Sequence, residues 1–492
     1  MFRLLQRLLL PVFVLALLVG ILSVKDNFGY DPIDEVVLSG PSSEVITPVF
    51  SLRRAPELLT SPLADQKLND EITQLVDALP ASSCLTISSS SERIYEHQIE
   101  IPLVPGGTQK LLTAYAALKQ IGIDYQYETI VAAVRETEAD GLLRTSDLFV
   151  FGSGDPLIRT DAYTALLPES YSQIRTSADE LADLTVGMNI LFIQGAVVVD
   201  ESRYDEERTV PGWSTELQES ALTGSLSAAL LDGGYDGLRQ NYSSQLENEN
   251  PPPLTPSANP AKRFAANFDD LLEARNVVIL RAAKESAGAQ LDDLIELLSI
   301  KSPTLDLIVK QMLTNDDIVT AEMLVKEIGY SRTGTGSTGS GLVSIPEIIS
   351  GAGVANSGIL LIDGSGSSPE NQITCNLLNS ILMESSTKDV LRDALPLAGV
   401  EGIVSEQFIG TEFEGKLEAH LSQTNLNASL AGYFTTESGT ELAISFIAND
   451  AIEDENFNQN VAVFIDGLSE AIATYTGGQP LDELGPLLNS QS

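Results

Sequence analysis

The sequence predicts an α/β protein, because segments of strand character alternate with segments of helical character along the chain. The 492 residues are 43% hydrophobic, which is enough for two or three domains with substantial cores. Segments 83–88 and 92–96 flank a serine-rich turn, as paired strands do. From Lys110 onward, apolar residues recur at a spacing that would bury one face of a helix, namely Leu111, Leu112, Tyr115 and Leu118.

Residues 1–25 carry the membrane signal of this chain. Arg3 and Arg7 precede an apolar run over 8–24, whose length reaches the lower limit for crossing a bilayer. Arginines before such a run favour the cytoplasmic side, so the body would lie outside the cytoplasm. No small-residue cleavage pattern follows, which favours an uncleaved signal anchor and a single-pass protein of the cell membrane over secretion after signal cleavage.

The two ends of the exported part are predicted to be irregular. Residues 26–64 are polar and rich in proline and serine, which indicates a flexible tether, and residues 481–492 form a tail. Between them, we expect a helix over 65–78 and a C-terminal helix over about 458–473.

The middle of the chain, 128–296, has a different pattern. Segment 147–151 is a buried strand that ends in a tight turn, and a second strand covers 195–200. Segment 247–260 contains too many prolines for a helix or a strand, which predicts a surface loop.

From residue 297 a helical region returns. A glycine- and serine-rich segment over 332–341 predicts a loop, and an apolar run over 358–362 predicts a strand. Strands are also expected over 428–434 and 441–449, where apolar residues dominate.

The charge balance excludes some partners. With 28 basic against 69 acidic residues, the net charge is −41, whereas nucleic acids and anionic lipid surfaces require a basic footprint. We therefore expect a solvated acidic surface and no nucleic-acid partner. His97 and His420 are the only histidines, so we predict no histidine-rich metal site, and no cofactor.

Cys84 and Cys375 are the only cysteines. An extracytoplasmic compartment permits a disulfide between them. A sequence does not give the distance between two Cα atoms, so a bridge and two small buried apolar side chains both stay open.

Residues 105–114 (PGGTQKLLTA) and 114–125 (AYAALKQIGIDY) closely resemble the helix after the active serine in peptidase family S13, the D-alanyl-D-alanine carboxypeptidases. Residues 363–366 (DGSG) match a further segment of that family. The resemblance implies a penicillin-binding, β-lactamase-like domain, an antiparallel sheet flanked by helices, built from residues 65–127 and 297–480. It also implies that residues 128–296 are a largely β inserted region.

Three catalytic motifs of the family are altered in this chain. The first motif needs a serine one helical turn before a lysine; here Lys110 is present, but Gly107 stands at the serine position. The second needs serine and asparagine, and counting back from Ala-Glu-Met-Leu at 321–324 places Asp316 and Ile318 there. The third is Lys-Thr-Gly, and an ungapped count places His420 at its lysine.

Other segments offer no convincing replacement for the missing nucleophile. The pattern Ser-x-x-Lys recurs at 385–388, where we interpret it as coincidence, and the Arg-Thr-Gly at 332–334 lies in the wrong part of the chain. We expect Lys110 to pair with Asp316 or Asp317 rather than act in catalysis. Trp213 is expected to pack between domains rather than bind a sugar.

Losing the nucleophile of a unit that works together removes nearly all turnover. We therefore predict a membrane-anchored, catalytically inactive homologue that binds or organises peptidoglycan, muropeptides or envelope proteins. The alternative is an active serine-type D-Ala-D-Ala carboxypeptidase or endopeptidase in peptidoglycan remodelling that uses rearranged residues.

Overall fold

The computed structural model describes residues 57–90, 92–134, 143–218, 223–236, 255–286, 288–291, 294–450 and 455–475. The predicted anchor and tail, most of the tether and most of the 247–260 loop lie outside these residues. Within the described ranges, no helix combines the length and the apolar character that a bilayer span requires.

The elements follow one another in three groups along the chain. The first group is α1 (Glu57–Val76), β1 (Ser83–Ser89), β2 (Arg93–His97) and α2 (Lys110–Ile121). The second is β3 (Glu128–Ala133), β4 (Leu143–Thr145), β5 (Leu148–Phe151), β6 (Ile158–Arg159), α3 (Asp161–Thr164), α4 (Glu169–Ser172), β7 (Thr176–Ser177), α5 (Ala178–Gly187), β8 (Ile190–Ile193), β9 (Val197–Asp200), α6 (Thr215–Gln218), β10 (Tyr235–Asp236), β11 (Thr255–Pro256), α7 (Pro260–Glu273), β12 (Val278–Ile279), β13 (Lys284–Ser286) and β14 (Ile295–Lys301). The third is α8 (Leu305–Asn315), α9 (Ile318–Thr333), α10 (Thr338–Gly351), α11 (Cys375–Leu382), α12 (Lys388–Ala394), β15 (Leu417–Gln423), β16 (Asn427–Thr435), β17 (Glu441–Asn449) and α13 (Phe457–Ala473).

The central sheet is antiparallel and joins both ends of the chain in the order β15-β16-β17-β1-β2. Because successive side chains of a strand point to opposite faces, each strand contributes to two cores. Tyr433 and Ile447 pack on one face with α2 and α8–α11, whereas Leu430 and Phe446 pack on the other face with α1 and α13. Helices therefore flank the sheet on both sides, as the predicted fold class requires.

A disulfide bridge joins Cys84 on β1 to Cys375 at the start of α11, with 6.0 Å between the Cα atoms. Both cysteines are fully buried. Of the two alternatives that the sequence left open, the structure therefore has the bridge, which fixes the sheet to the helical layer on one of its faces.

The inserted region has its own five-stranded sheet, in the order β13-β9-β5-β3-β14. Helices α5 and α7 supply Leu181 and Phe264 to the core of this region. Strand β14 pairs with β3 as far as Lys301, whereas we predicted the end of the region at 296. The inserted region is therefore a mixed layer of strands and helices.

Three local predictions are wrong. Residues 57–64, predicted as the end of the tether, belong to α1, which begins at Glu57 rather than at 65. The run 358–362 forms no strand; Gly358 turns with a φ of +76°, and only Leu360 makes an isolated bridge, to Gln372. The segment 332–341 is mostly helical, because α9 continues to Thr333 and the Ser337 side chain caps α10 by accepting from the Ser340 amide.

The inserted region is fastened to the rest of the molecule through α9. The Arg203 guanidinium lies 2.6 Å from Glu327 Oε1. Trp213 is 5% exposed, packs with Met323, and donates from Nε1 to Asp363 Oδ2 at 2.8 Å. Trp213 thus has the interdomain packing position that the sequence predicted.

Candidate active-site cleft

A tight turn immediately precedes α2. Gly106 and Gly107 begin a 3₁₀ turn over Gly106–Gln109, and Lys110 is the first residue of the helix. Gly106 has a φ of +55°, and a Cβ there would lie 2.6 Å from Ser422 Oγ. Glycine is therefore required at 106 by both backbone conformation and space.

The Lys110 side chain is 1% exposed, and its amine is bound on two sides. Nζ lies 2.5 Å from Asp316 Oδ1 and donates to the Ser365 carbonyl oxygen at 3.0 Å. The ion pair with Asp316 is one of the two alternatives that we expected from the sequence. An ammonium held by a carboxylate and a carbonyl is poorly placed to accept a proton from a nucleophile.

Asp316 reaches this position because of an unusual backbone conformation. It follows the last residue of α8 in the left-handed region, with a φ of +55°. Its side chain remains 38% exposed. Burial alone would raise the pKa of this carboxyl, but the Lys110 ammonium and the His420 ring hold the pKa well below its usual value. Asp316 is therefore ionised throughout the physiological pH range.

His420 lies on the edge strand β15 and is fully buried. Its Nε2 is 3.2 Å from the same Asp316 Oδ1 that binds Lys110. Neither ring nitrogen of His420 makes a hydrogen bond to a described residue. Lys110 and His420 thus both approach the same carboxylate oxygen, Oδ1 of Asp316.

Gly107 lies against these replacements. A Cβ built at Gly107 would stand 2.8 Å from Asp316 Oδ1 and 2.8 Å from His420 Cε1. Cβ atoms do not approach other atoms so closely, so a side chain at 107 would displace one of these groups. The space beside Gly107 is occupied by the side chains of Asp316 and His420.

The other two residues that we predicted at the second motif have structural roles. Ile318 is the first residue of α9 and lines the cleft with an apolar side chain. The Asp317 carboxylate caps α9 by accepting from the Thr320 amide at 3.0 Å, and it also accepts from Gln311 at 3.2 Å. Because the Asp317 carboxylate is engaged in capping α9, the partner of Lys110 is Asp316.

A cleft of about 430 Å³ is lined by Gly107, Lys110, Asp316 and Ile318, among other residues. The lining also includes the turn from Ser365 to Pro369, and the end of β15 with the turn that follows it, which contribute Ser422, Thr424 and Leu426. Asp450 also lines the cleft and is 7% exposed. The cleft therefore offers hydroxyl groups, apolar side chains and carboxylates to a ligand.

Sequence reasoning missed the part played by Glu322. This buried side chain accepts hydrogen bonds from the Gly364 and Ser365 amides, at 3.1 and 2.8 Å, and so holds the turn whose Ser365 carbonyl binds Lys110. Burial and the nearby charge of Asp363 raise the pKa of Glu322. The signal available in the sequence was a glutamate directly after Ala321, within an otherwise apolar helical stretch.

The other sequence candidates lie outside the cleft. Lys388 of the 385–388 pattern forms an ion pair with Glu441, and Thr333 of the 332–334 pattern is the last residue of α9. Thr108 is buried and donates to the Pro105 carbonyl oxygen. None of these three lines the cleft.

Within the described part of the chain, one group of carboxylates has a spacing suited to a metal ion, formed by Asp269, Asp270 and Glu273 on α7. Asp270 and Glu273 are exposed, and the group does not line the cleft. Exposed acidic residues on one helix face are common without a bound ion, so this group has no assigned role.

Comparison with known proteins gives a consistent result. The family model described as D-Ala-D-Ala carboxypeptidase 3 (S13) matches residues 65–241 and 247–470. A D-alanyl-D-alanine carboxypeptidase of Actinomadura sp. (strain R39) is 26% identical over 433 residues, which cover 74% of this chain and 76% of that protein. A carboxypeptidase of Mycobacterium tuberculosis is 25% identical over 377 residues, with coverage of 75% and 76%.

Solved structures show the same fold. Penicillin binding protein 4 from Haemophilus influenzae superposes with a TM-score of 0.66 at 18% identity, covering 82% of this chain and 99% of that one. A predatory endopeptidase from Bdellovibrio bacteriovorus gives a TM-score of 0.50 at 16% identity, with coverage of 80% and 94%. At these identities the likeness establishes the fold alone.

Proposed function

The chain belongs to the D-Ala-D-Ala carboxypeptidase 3 (S13) family, and from this membership we propose that it is a catalytically inactive homologue that retains the cleft for binding. In this proposal the cleft binds peptidoglycan fragments, and the protein organises cell-wall or envelope partners. The observation that supports the proposal is the packing at Gly107, where a Cβ would lie 2.8 Å from Asp316 Oδ1 and 2.8 Å from His420 Cε1.

The state of Lys110 supports the same conclusion. In the family mechanism a free amine takes the proton of the serine, whereas here the amine is 1% exposed and is held by Asp316 and the Ser365 carbonyl. Neither the attacking group nor the proton acceptor of the acyl-enzyme route is available. In the alternative, an active peptidase, one of the hydroxyl groups that line the cleft would have to replace both the attacking group and the proton acceptor.

Labelling with a fluorescent penicillin distinguishes an inactive homologue from an active peptidase. β-Lactams acylate the active serine of these enzymes, so we expect no covalent label on the purified full-length protein. The Actinomadura carboxypeptidase, labelled in parallel, serves as the positive control. An adduct that mass spectrometry maps to Ser365, Ser422 or another cleft hydroxyl would refute the proposal, as would release of D-alanine from a pentapeptide.

We also propose that the protein is anchored in the cell membrane with its body outside the cytoplasm. The basic and apolar character of residues 1–25 supports this location, and so does the Cys84–Cys375 disulfide, because such bridges persist in oxidising compartments. Membrane fractions should contain the full-length chain, and a chain without residues 1–25 should be found in the soluble fraction. A full-length protein that extracts with salt alone would contradict the anchor.

A further inference from the structure

We propose that Arg159 forms a pH-sensitive contact between the inserted region and the start of α9, which holds in mild acid and loosens when Asp155 and Asp232 lose their protons. The contact goes beyond the proposed function of the cleft, and it does not depend on which ligand the cleft binds. It reaches α9 at Asp317, the helix-capping residue that follows Asp316 in the chain.

Arg159 is a buried cation whose N–H groups are incompletely paired. It lies on β6 and is 4% exposed. Its Nη1 donates to the Tyr171 carbonyl oxygen, and its Nη2 lies 4.0 Å from Asp317 Oδ2, at the outer limit of an ion pair. In the described part of the chain no acceptor binds its Nε. Since buried N–H groups are normally paired, the guanidinium has a donor available for another acceptor.

Two further carboxyl groups of the inserted region are buried without direct contact to a cation. Asp155 and Asp232 are 3% and 2% exposed. Asp155 accepts from the Leu157 amide at 2.8 Å and from the Thr176 hydroxyl. Asp232 accepts from the Thr160 amide at 2.7 Å and from the hydroxyl of the same residue at 3.1 Å. Neutral donors compensate a buried carboxylate only in part, so the protonated form of each carboxyl is favoured.

The two carboxyl groups lose their protons within the range of mild pH. Burial raises the pKa of Asp155 and that of Asp232 to about 6, although the charge of Arg159 acts on both in the opposite direction. The charge of Arg263 on α7 also favours ionised Asp232. The other titratable groups that interact with these charges are tyrosines whose pKa is raised by burial and which stay neutral at such pH, namely Tyr127, Tyr163, Tyr171 and Tyr235.

Ionisation changes the balance of charge around Arg159. At pH 5 the guanidinium and the Asp317 carboxylate neutralise each other. At pH 7.5 Asp155 and Asp232 add two negative charges, which attract the guanidinium and repel Asp317. Because the ion pair with Asp317 is long, at 4.0 Å, and Nε has no acceptor, the guanidinium can turn toward the new carboxylates at the expense of Asp317.

The same contact is connected to the backbone beside the cleft. Tyr171, whose carbonyl binds Arg159, donates from its hydroxyl to the Asn315 carbonyl oxygen at 2.6 Å. The Asn315 side chain donates in turn to the Ser170 carbonyl oxygen at 3.2 Å. Asn315 is the last residue of α8 and directly precedes Asp316. A displacement of Arg159 therefore acts on the chain segment that positions Asp316.

Hydrogen exchange of the full-length protein at pH 5.0 and pH 7.5, followed by mass spectrometry, tests the contact. The rates are corrected for the pH dependence of chemical exchange. The amides to follow are those of Thr176, which donates to the Leu157 carbonyl oxygen, and Thr320, which donates to Asp317. Stability contributed by a group with a raised pKa is present below the pKa of the unfolded chain and is lost as the pH rises through about 6.

We expect corrected exchange of both amides to be at least about tenfold faster at pH 7.5, because each unit of pKa shift changes the opening equilibrium tenfold. Equal corrected rates at the two pH values would overturn the inference.

Variants assign the effect to the named groups. Asp155→Asn/Asp232→Asn mimics the protonated forms, so exchange should be slow at both pH values, whereas Arg159→Gln should make it fast at both. Asp161→Asn, at a 61% exposed side chain of the same region, and Glu322→Gln, at a buried carboxyl elsewhere, should keep the wild-type difference. A pH difference that persists in the double variant, or that disappears in either control, would refute the role of Asp155 and Asp232. Slow exchange of Arg159→Gln at pH 5.0 would refute that of Arg159.

Discussion

At the scale of single residues, Gly107, Asp316 and His420 have to be understood together. Each is predicted to stand at an altered family motif, and the three lie in direct contact: a Cβ at 107 would meet Asp316 Oδ1 and His420 Cε1 at 2.8 Å. Substitutions in direct contact are energetically coupled. Reversing one of them alone therefore creates a clash rather than an active site.

Gly107→Ser should leave the protein inactive and less stable. The new side chain must displace Asp316 or His420, and overpacking of this kind costs about 1–3 kcal/mol of unfolding free energy. Denaturant unfolding measures the loss, and D-alanine release from a pentapeptide measures activity. Turnover by this single variant would show that the cleft is otherwise competent.

Gly339→Ala is a suitable control for the stability measurement. This glycine lies in α10, and nothing lies within 4 Å of its Cβ position outside its own helix. Alanine is favoured over glycine in helices, so we expect a gain of up to about 1 kcal/mol. Gly107→Ala, with the same added atom, should be destabilising; equal effects at the two sites would contradict the crowding at 107.

Glu322 should make stability depend on pH. Burial and the charge of Asp363 raise the pKa of Glu322, so the folded state favours the protonated form. The stability that protonated Glu322 contributes is fully present below the pKa of a glutamate in the unfolded chain, about 4.3. It is lost as the pH rises toward the pKa of Glu322 in the folded protein. Glu322→Gln mimics the protonated form and should therefore be more stable than the wild type at pH 8, by about 1–3 kcal/mol, with a much smaller difference at pH 5.

Thermal unfolding at the two pH values measures this effect. Glu437→Gln, at an exposed position, should show no comparable change between pH 5 and pH 8. A Glu322→Gln variant that loses stability at pH 8 would mean that the carboxylate is the form required by the Gly364 and Ser365 amides.

At the scale of elements, the disulfide joins parts of the chain that are distant in sequence. It links β1 to α11 across 291 positions. The double variant Cys84→Ala/Cys375→Ala should lose about 2–4 kcal/mol of stability, because a cross-link restricts the unfolded chain. Thiol titration of the unfolded, unreduced protein should find no free thiol; two thiols would disprove the bridge.

The sequence predicted elements well where the pattern is local. The spacing of apolar residues predicted helices α1, α2 and α13. The serine-rich turn between two short segments predicted strands β1 and β2. The run 358–362 was mistaken for a strand, because an apolar run does not reveal whether a partner strand lies beside it. The segment 332–341 was mistaken for a loop, because its glycines and serines obscured the cap at Ser337.

The candidate site was predictable for a different reason. Gly107, Lys110, Asp316, Ile318 and His420 were located by their spacing from family segments, and the structure brings all five to one cleft or its floor. The crowding at Gly107, the carbonyl partner of Lys110 and the support from Glu322 depend on contacts between distant segments. No local pattern contains that information.

At the scale of the whole molecule, the net charge of −41 opposes the compact state, because like charges lie closer together in the fold than in the unfolded chain. Salt screens this repulsion: the Debye length falls from about 10 Å at 0.1 M to about 3 Å at 1 M. We therefore expect the melting temperature at pH 8 to rise by several degrees between 0.05 and 1 M NaCl. At pH 5, closer to the sequence pI of about 4.2, the same salt titration should have a smaller effect, because fewer carboxyl groups are ionised. A melting temperature that falls with salt at pH 8 would mean that surface ion pairs such as Arg332–Glu347 outweigh the repulsion of the surplus carboxylates.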